Sequence, residues 1–446
     1  MPRHFIVVDP LHDYALRFVR VVTERFGYQP LCVYTDRVLR RMALHEFPAL
    51  QGTESLVVPA RGLQELGRRL RAERDIAGVI PFNEVALPSS VALLQGLQSS
   101  WNDPQVLTLL RDKFALKEHL RQISPRLEVG LSRRIVLDGN GFAAQDLPER
   151  FVLKPNAGYG NRSVGFFTYR TPVAAIDEFI RSSGERDFVL EEFFAGDEYF
   201  LNGQLDGQGA CTVNAVFRYE RVWANGRNLD WLTHKVSRSD PAFPILEQYA
   251  RSILTAVKLR RSPFHLEVKL EDGVPRLVEL GARLAGNGNA LLCNRLHGDR
   301  LDVFLLAADH YLHDRPRTTA ALDWDAYESK AVVYVHGVSF GEPLVYEPAG
   351  KREIEQDPFF AGWVRAPRVG ERTEPTVDLF STPWALVLEG PAGAHGTLLD
   401  HASRARALLD SGKPPLFWQR ATAAWKHLRD RARRRLRRIL FRLIPG

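Results

Sequence analysis

Glu267 and Glu279 stand twelve residues apart in "HLEVKLEDGVPRLVELGAR" (265–283), on either side of an Asp272-Gly273 pair. Asp-Gly between two alternating runs predicts a tight hairpin of two antiparallel strands. Alternation sets His265, Glu267 and Lys269 on one face of the first strand, with Glu279 on the partner strand. Two carboxylates facing inward from neighbouring strands repel each other unless a divalent cation lies between them. Hard oxygen ligands of that kind suit Mg²⁺ bridging phosphate oxygens. A pair of solvated surface glutamates is the plain alternative. Four residues past Glu279, Arg283 carries the planar fork that grips a phosphate or a carboxylate at two points.

A second stretch, "FVLKPNAGYGNRSVGFF" (151–167), runs a strand into Lys154, then spends Gly158, Gly160 and Gly165 among Arg162 and Ser163. A simple hairpin needs only two to five turn residues, so this loop is too long for that purpose alone. Glycines let backbone N–H groups approach a ligand, and a cation completes an anion cradle. The alternative is a mobile surface hairpin. Two more pieces carry charge at suggestive spacing: Lys113 in "RDKFALKEHL", and Glu191 and Glu198 around Gly196 in "LEEFFAGDE".

These residues need elements to hold them. A chain of 446 residues exceeds one core and predicts two to four domains. Its hydrophobic share of 45% and charged share of 25% are ordinary for a globular protein. Three cysteines without metal spacing (Cys32, Cys211, Cys293) argue against a disulfide framework and fit a reducing compartment. The N-terminus enters a strand directly, with no signal-peptide pattern, and no apolar run is long enough to span a membrane. The net charge of +7 is a local property: Gln419 to Gly446 hold ten Lys/Arg and one Asp, while the first 418 residues hold 50 basic against 52 acidic.

Strand–helix alternation from "HFIVV" through "IAGVIPFNEVALPSSVALLQGL" predicts a parallel α/β sheet, and no Gly-rich dinucleotide fingerprint follows its first strand. "NDPQVLTLLRDKFALKEHLRQ" (102–122) reads as one helix leaving that domain. The expected division is an α/β domain at 1–122, a lid subdomain at 123–196, a large subdomain with the metal and substrate site at 197–315, a small α+β subdomain at 316–412, and a tail at 413–446.

In this order the pieces "VIPFNE", "DPQVLTLLRDKFALKEHL", "FVLKPNAGYGNRSVGF", "VLEEFFAGDEYF" and "FHLEVKLEDGVPRLVELGARLAGNGN" resemble the ATP-grasp superfamily. The segment "AVVYVHGVSFGEPLVYEPAGKREI" resembles the C-terminal subdomain of its L-amino acid ligase, or carboxylate–amine ligase, branch. The fold this implies is α/β in the α+β ATP-grasp form: a parallel N-terminal domain, a small central lid, an antiparallel ATP-grasp domain and an added small subdomain. The resemblance implies that Lys113 and Lys154 contact the phosphates and adenine of ATP. It makes the loop with Gly158, Gly160 and Ser163 a lid over the phosphates. Glu191 becomes the contact to the adenine amine, helped by the backbone from Glu192 to Phe194, and Glu198 the ribose acceptor. Glu267 and Glu279 become ligands of Mg²⁺ (or Mn²⁺), and Arg283, with Lys154, serves the reaction itself by steadying an acyl phosphate. One departure stands out: the family usually carries Asn two residues after the second metal glutamate, and here that position is Gly281. Asn287 and Asn289 are the nearby side chains that could substitute.

The implied reaction joins a small carboxylate, activated as an acyl phosphate, to an amine, releasing ADP and phosphate. Candidate substrate contacts are Asn287, Asn289, Asn294 and His297 after the metal strand, and Trp231, His234 and Lys235 in "NLDWLTHKVSR"; each also reads as structural, as does His265. A second reading keeps the fold as a non-catalytic nucleotide-binding module. The tail "WKHLRDRARRRLRRILFRLIPG" has apolar residues at helical spacing and arginines on the remaining face, a basic amphipathic helix. It suits an anionic membrane surface or an acidic partner protein. Specific nucleic-acid binding is not expected; a homodimer is compatible, and the expected location is the cytoplasm or its membrane face.

Overall fold

Short apolar runs make the first strands, β1 (His4–Val8) and β2 (Gln29–Tyr34), whose residues 5–8 and 31–34 are buried. Between them α1 (Asp13–Phe26) turns Tyr14, Ala15, Phe18, Val21 and Val22 inward at helical spacing, and Gly27, at φ 70°, ends it. The helix α2 (Arg37–Glu46), β3 (Glu54–Val57), α3 (Leu63–Glu73) and β4 (Ile76–Ile80) complete a parallel sheet of order β3-β2-β1-β4. The computed structural model describes residues 2–98, 103–136, 142, 146–298, 301–318, 322–340, 345–370 and 372–410. The expected tail helix at 413–446 lies outside them.

After α4 (Leu87–Leu97), the stretch read from sequence as one helix is two, α5 (Pro104–Arg111) and α6 (Lys113–Ile123). Asp112 breaks it. Its backbone is extended, and its side chain accepts from the Ala115 N–H, so it caps a new helix. Lys113 is thereby the first residue of α6, and it is buried.

The strands β5 (Ser132–Val136), β6 (Arg150–Pro155), β7 (Gly165–Thr168) and β8 (Asp187–Glu192), with α7 (Val173–Ser183), form a sheet of order β5-β8-β6-β7. Its core is Phe142, Phe151, Leu153, Ile176, Ile180, Phe188 and Leu190. Then come β9 (Asp197–Leu205), β10 (Cys211–Ala224), β11 (Arg227–Lys235), α8 (Ala242–Ala256), β12 (Ser262–Glu271), β13 (Val274–Gly281), α9 (Asn289–Leu296) and α10 (Val303–Leu312). The chain ends through α11 (Trp324–Ser329), β14 (Lys330–His336), α12 (Pro348–Glu355), β15 (Phe360–Arg365), β16 (Ala385–Pro391) and α13 (His395–Asp410).

Contacts group these elements into two units. The first comprises Met1–Ser132, Phe200–Val216 and Ser239–Asp323; the second comprises Arg133–Tyr199, Phe217–Arg238 and Trp324–Gly446. In the first, β12 and β13 make an antiparallel hairpin. In the second, β10, β11, β14, β16 and β15 pair antiparallel in that order, backed by Leu398, Ala402, Ala405 and Leu409 of α13. Among the described residues no helix is long and apolar enough to cross a membrane.

Candidate active-site residues

In the first unit the site is built on the β12–β13 hairpin. Asp272 and Gly273 take φ of 51° and 78°, the left-handed pair that closes a two-residue turn between Glu271 and Val274. From that turn the register runs back until Glu267 stands directly opposite Glu279, and His265 opposite Gly281. A bulge between these pairs and Val268↔Leu277 makes Val278 the extra residue of β13. Opposite residues share a face, so the two carboxylates lie side by side, each side chain 21% exposed.

Cations gather on them. Lys113 Nζ lies 3.3 Å from Glu279 Oε2, and His265 Nε2 lies 3.3 Å from Glu267 Oε1. Arg283 donates from Nε to Glu84 Oε2 at 2.8 Å and from Nη1 to the Leu284 carbonyl at 3.2 Å. Burial works against the charge of Arg283, but Glu84, then Glu279 and Glu267, outweigh it and hold its pKa above the ordinary value. The donor set fits a hard divalent cation: two adjacent carboxylates already draw an ammonium, and no thiolate faces them. Among the described residues no three His, Cys, Asp or Glu side chains make a ready cage. Mg²⁺ is commonly held by one or two carboxylates, with phosphate oxygens and water in its remaining positions.

In the second unit, Lys154 on β6 and Glu191 on β8 sit on one face of the antiparallel pair, where Val152 opposes Glu191 and Lys154 opposes Val189. Their side chains meet at 2.9 Å with 10% and 6% exposure. Beyond β8 the Phe193 N–H is spent on the Arg150 carbonyl at 3.0 Å, and Phe194 is buried. Glu192 is half-buried. Glu198 on β9 is paired with Arg221 of β10, which also pairs Asp230 of β11.

The glycine-rich loop follows β6. Gly160, Asn161 and Ser163 all take positive φ (68°, 58° and 57°), and the Gly158 N–H donates to the Pro155 carbonyl at 3.1 Å. The loop is pinned from outside: Arg227 donates to the Val164 carbonyl at 3.1 Å, and the Leu379 N–H donates to the Gly160 carbonyl at 3.3 Å. A Cβ at Gly160 would come within 2.8 Å of the ring of Phe380, an exposed side chain that can move aside, so the φ of 68° is what favours glycine there.

The candidate substrate contacts are spread over both units. In the first, His297 is fully buried with both ring nitrogens against the carbonyls of Asn214 and Asp323, and Asn294 Oδ1 accepts from the Val303 N–H. Asn287 sits in a left-handed turn before α9, and Asn289, buried, begins that helix. In the second, Trp231 is the extra residue of a bulge in β11, lines a cavity of about 500 Å³ and lies under the Arg406 guanidinium at 3.3 Å. His234 lies 2.8 Å from Glu220, and burial lowers its pKa despite that carboxylate. Lys235, its pKa also lowered by burial, donates to the Tyr327 carbonyl at 2.8 Å. Sequence reasoning left Glu84 and Arg221 without a role. Glu84 had a visible signal, an acid placed just after a buried strand in "VIPFNE"; Arg221, one of many strand arginines, had none.

Residues 147–290 match the ATP-grasp domain family. Dapdiamide A synthase of Enterobacter agglomerans is 25% identical over 209 residues, 46% of this chain. The match spans about half (48%) of that relative's length. Among solved structures, L-amino acid ligase from Bacillus licheniformis superposes with a TM-score of 0.65 at 18% identity, covering 90% of this chain and 98% of that one. N5-carboxyaminoimidazole synthetase from Staphylococcus aureus, complexed with ADP, gives 0.62 at 13% identity over 91% and 97%. Phosphoribosylglycinamide synthetase from Anaerococcus prevotii gives 0.61 at 11% over 90% and 98%. Residues 147–290 are thus similar to the ATP-grasp domain family, and the chain has the ATP-grasp fold.

Proposed function

We propose that this chain is an ATP-dependent carboxylate–amine ligase acting on amino acids or related small metabolites. The observation that carries the reading is the register of β12 and β13, which pairs Glu267 with Glu279 beside Lys113 in one unit with Arg283. A carboxylate is a poor electrophile because oxide will not leave; phosphorylation by ATP makes it an acyl phosphate whose phosphate does. An amine then forms the amide, with ADP and phosphate as by-products. Glu267 and Glu279 would hold Mg²⁺, which would supply charge neutralisation for the phosphates. Lys113 and Lys154 position the phosphates, and Arg283 stabilises charge that builds up at the activated carboxylate. Glu191 and Glu198 hold the base and ribose. The Gly158–Gly165 loop keeps water from an intermediate that water would hydrolyse.

The test is ADP release in the presence of Mg²⁺, over amino acids singly and in pairs. Turnover confined to certain pairs is expected, with the amide found by mass spectrometry. Lys154→Ala and Glu279→Ala should abolish it. Wild-type turnover in either variant, or ATP binding with no ADP release for any pair, would overturn the ligase reading; the second result would favour a nucleotide-binding module.

A further inference from the structure

The imidazole of His265 sits at the end of a chain of polar contacts that leads into Glu267. Its Nδ1 lies 2.9 Å from Asn202 Oδ1, and its Nε2 lies 3.3 Å from Glu267 Oε1. Asn202 in turn reaches Cys293 Sγ at 3.7 Å through Nδ2. All but Glu267 are buried, and burial pushes the Cys293 thiol up to about 12, so it stays protonated. The ring packs on Phe200 at 5.2 Å between centroids. Across the ladder stands Gly281, which has no side chain to compete for the space.

The proton arrangement follows from the partners. A bare nitrogen lone pair facing a carboxylate oxygen at 3.3 Å would be repulsive, so Nε2 carries a proton toward Glu267. With the Asn202 oxygen toward Nδ1 the ring is an imidazolium donating at both ends. With the amide turned over, Nδ2 donates to Nδ1, and the Cys293 S–H can donate to the amide oxygen. Both arrangements give the same result at the carboxylate: Oε1 of Glu267 is held by the ring. Outer partners of this kind fix the orientation of a metal ligand, and their loss typically costs about 10–100-fold in metal affinity.

We propose that His265 is a positioning residue, backed by Asn202, that aims Glu267 at the divalent cation. The proposal rests on the metal roles given above to Glu267 and Glu279. Its test is Mn²⁺ binding to the full chain, followed by the electron paramagnetic resonance signal of free Mn²⁺, with metal-free ATP binding measured alongside. His265→Met, which keeps volume but loses the donor, should weaken Mn²⁺ about 10–100-fold while metal-free ATP affinity stays unchanged. His265→Gln, which can still donate to Glu267, should recover most of the loss. Wild-type Mn²⁺ affinity in the Met variant would overturn the proposal. So would a Gln variant as weak as Met, or an equal fall in metal-free ATP binding. If the Met variant does not fold, His265→Asn, whose amide is too short to reach Glu267, decides in the same way. Glu279→Gln separates the two readings. If it loses Mn²⁺ while His265→Met does not, only the positioning role falls; if the wild-type chain binds no Mn²⁺, the metal assignment falls with it.

Discussion

Two acidic clusters in this molecule are built on opposite lines. On the β12–β13 hairpin, Glu267 and Glu279 keep 21% of their side chains in solvent, and Lys113 and His265 stand at 3.3 Å. Around Arg221, Glu198 and Asp230 keep only 9% and 6%, and one guanidinium serves both. The first cluster is loosely held by groups that can yield to another cation. The second is closed by a planar donor matched to carboxylates. The contrast sets an expectation for stability: changes on the hairpin should alter ligand affinity with little effect on folding, while changes at Arg221 should cost folding stability, whatever they also do at Glu198.

The largest effect expected is in the first cluster. Glu279→Ala should lower Mg²⁺-dependent ADP release by about 10³-fold, worth about 4 kcal/mol of barrier, with the melting temperature close to wild type. A comparable loss of melting temperature would break the distinction. Next, Arg221→Ala takes a shared guanidinium away from two buried carboxylates and should cost about 3–5 kcal/mol in chemical denaturation. Asp230→Asn added to it should return part of that; no recovery would place the damage elsewhere.

A third test uses pH. Burial lowers the pKa of His336 in β14 to about 4, so the unfolded chain takes up the proton first as pH falls below 6.5. Its contribution is whole above about 6.5 and lost progressively toward about 4, about 3 kcal/mol in all. Asp9, at the end of β1, runs the other way. Burial raises its pKa to about 6 despite hydrogen bonds from Thr35, so its folded form gains relative stability as pH falls from about 6 to about 4. Amide protection, after correction for the intrinsic pH dependence of exchange, should therefore fall at pH 5 around β14 relative to β1, and His336→Phe should shrink the difference. The smallest effect is Gly281→Asn. The nearest neighbour of a Cβ there is the Arg283 side chain, at an ordinary 3.5 Å, so the backbone should accept it, with a change in Mg²⁺ affinity within about 1 kcal/mol.

The sequence made some of this legible and hid the rest for physical reasons. Asp272-Gly273 announced the hairpin because two consecutive left-handed residues are rare outside such turns, and the spacing of the glutamates followed from it. The parallel domain was readable from apolar runs alternating with helical spacing. The break at Asp112 was not, because the apolar period continues through it and only the cap geometry marks the new helix. Nor could spacing show that His297 and Asn294 are engaged with backbone groups from Asn214, Asp323 and Val303, since those partners are distant in sequence or set by a turn. The bulge that gives Trp231 its place in β11 likewise leaves no trace in alternation.

The tip of the β12–β13 hairpin sets a constraint on how this protein can vary. Space at the tip is open, since nothing lies within 4 Å of an added carbon at Gly273, but the φ of 78° there favours glycine, and the length of the turn is fixed. Inserting one residue there would slide one strand past the other and turn its glutamate to the opposite face, five residues from the edit on one side and six on the other. Descendants of this chain should therefore keep residues that accept a left-handed backbone at the turn and reject single-residue insertions.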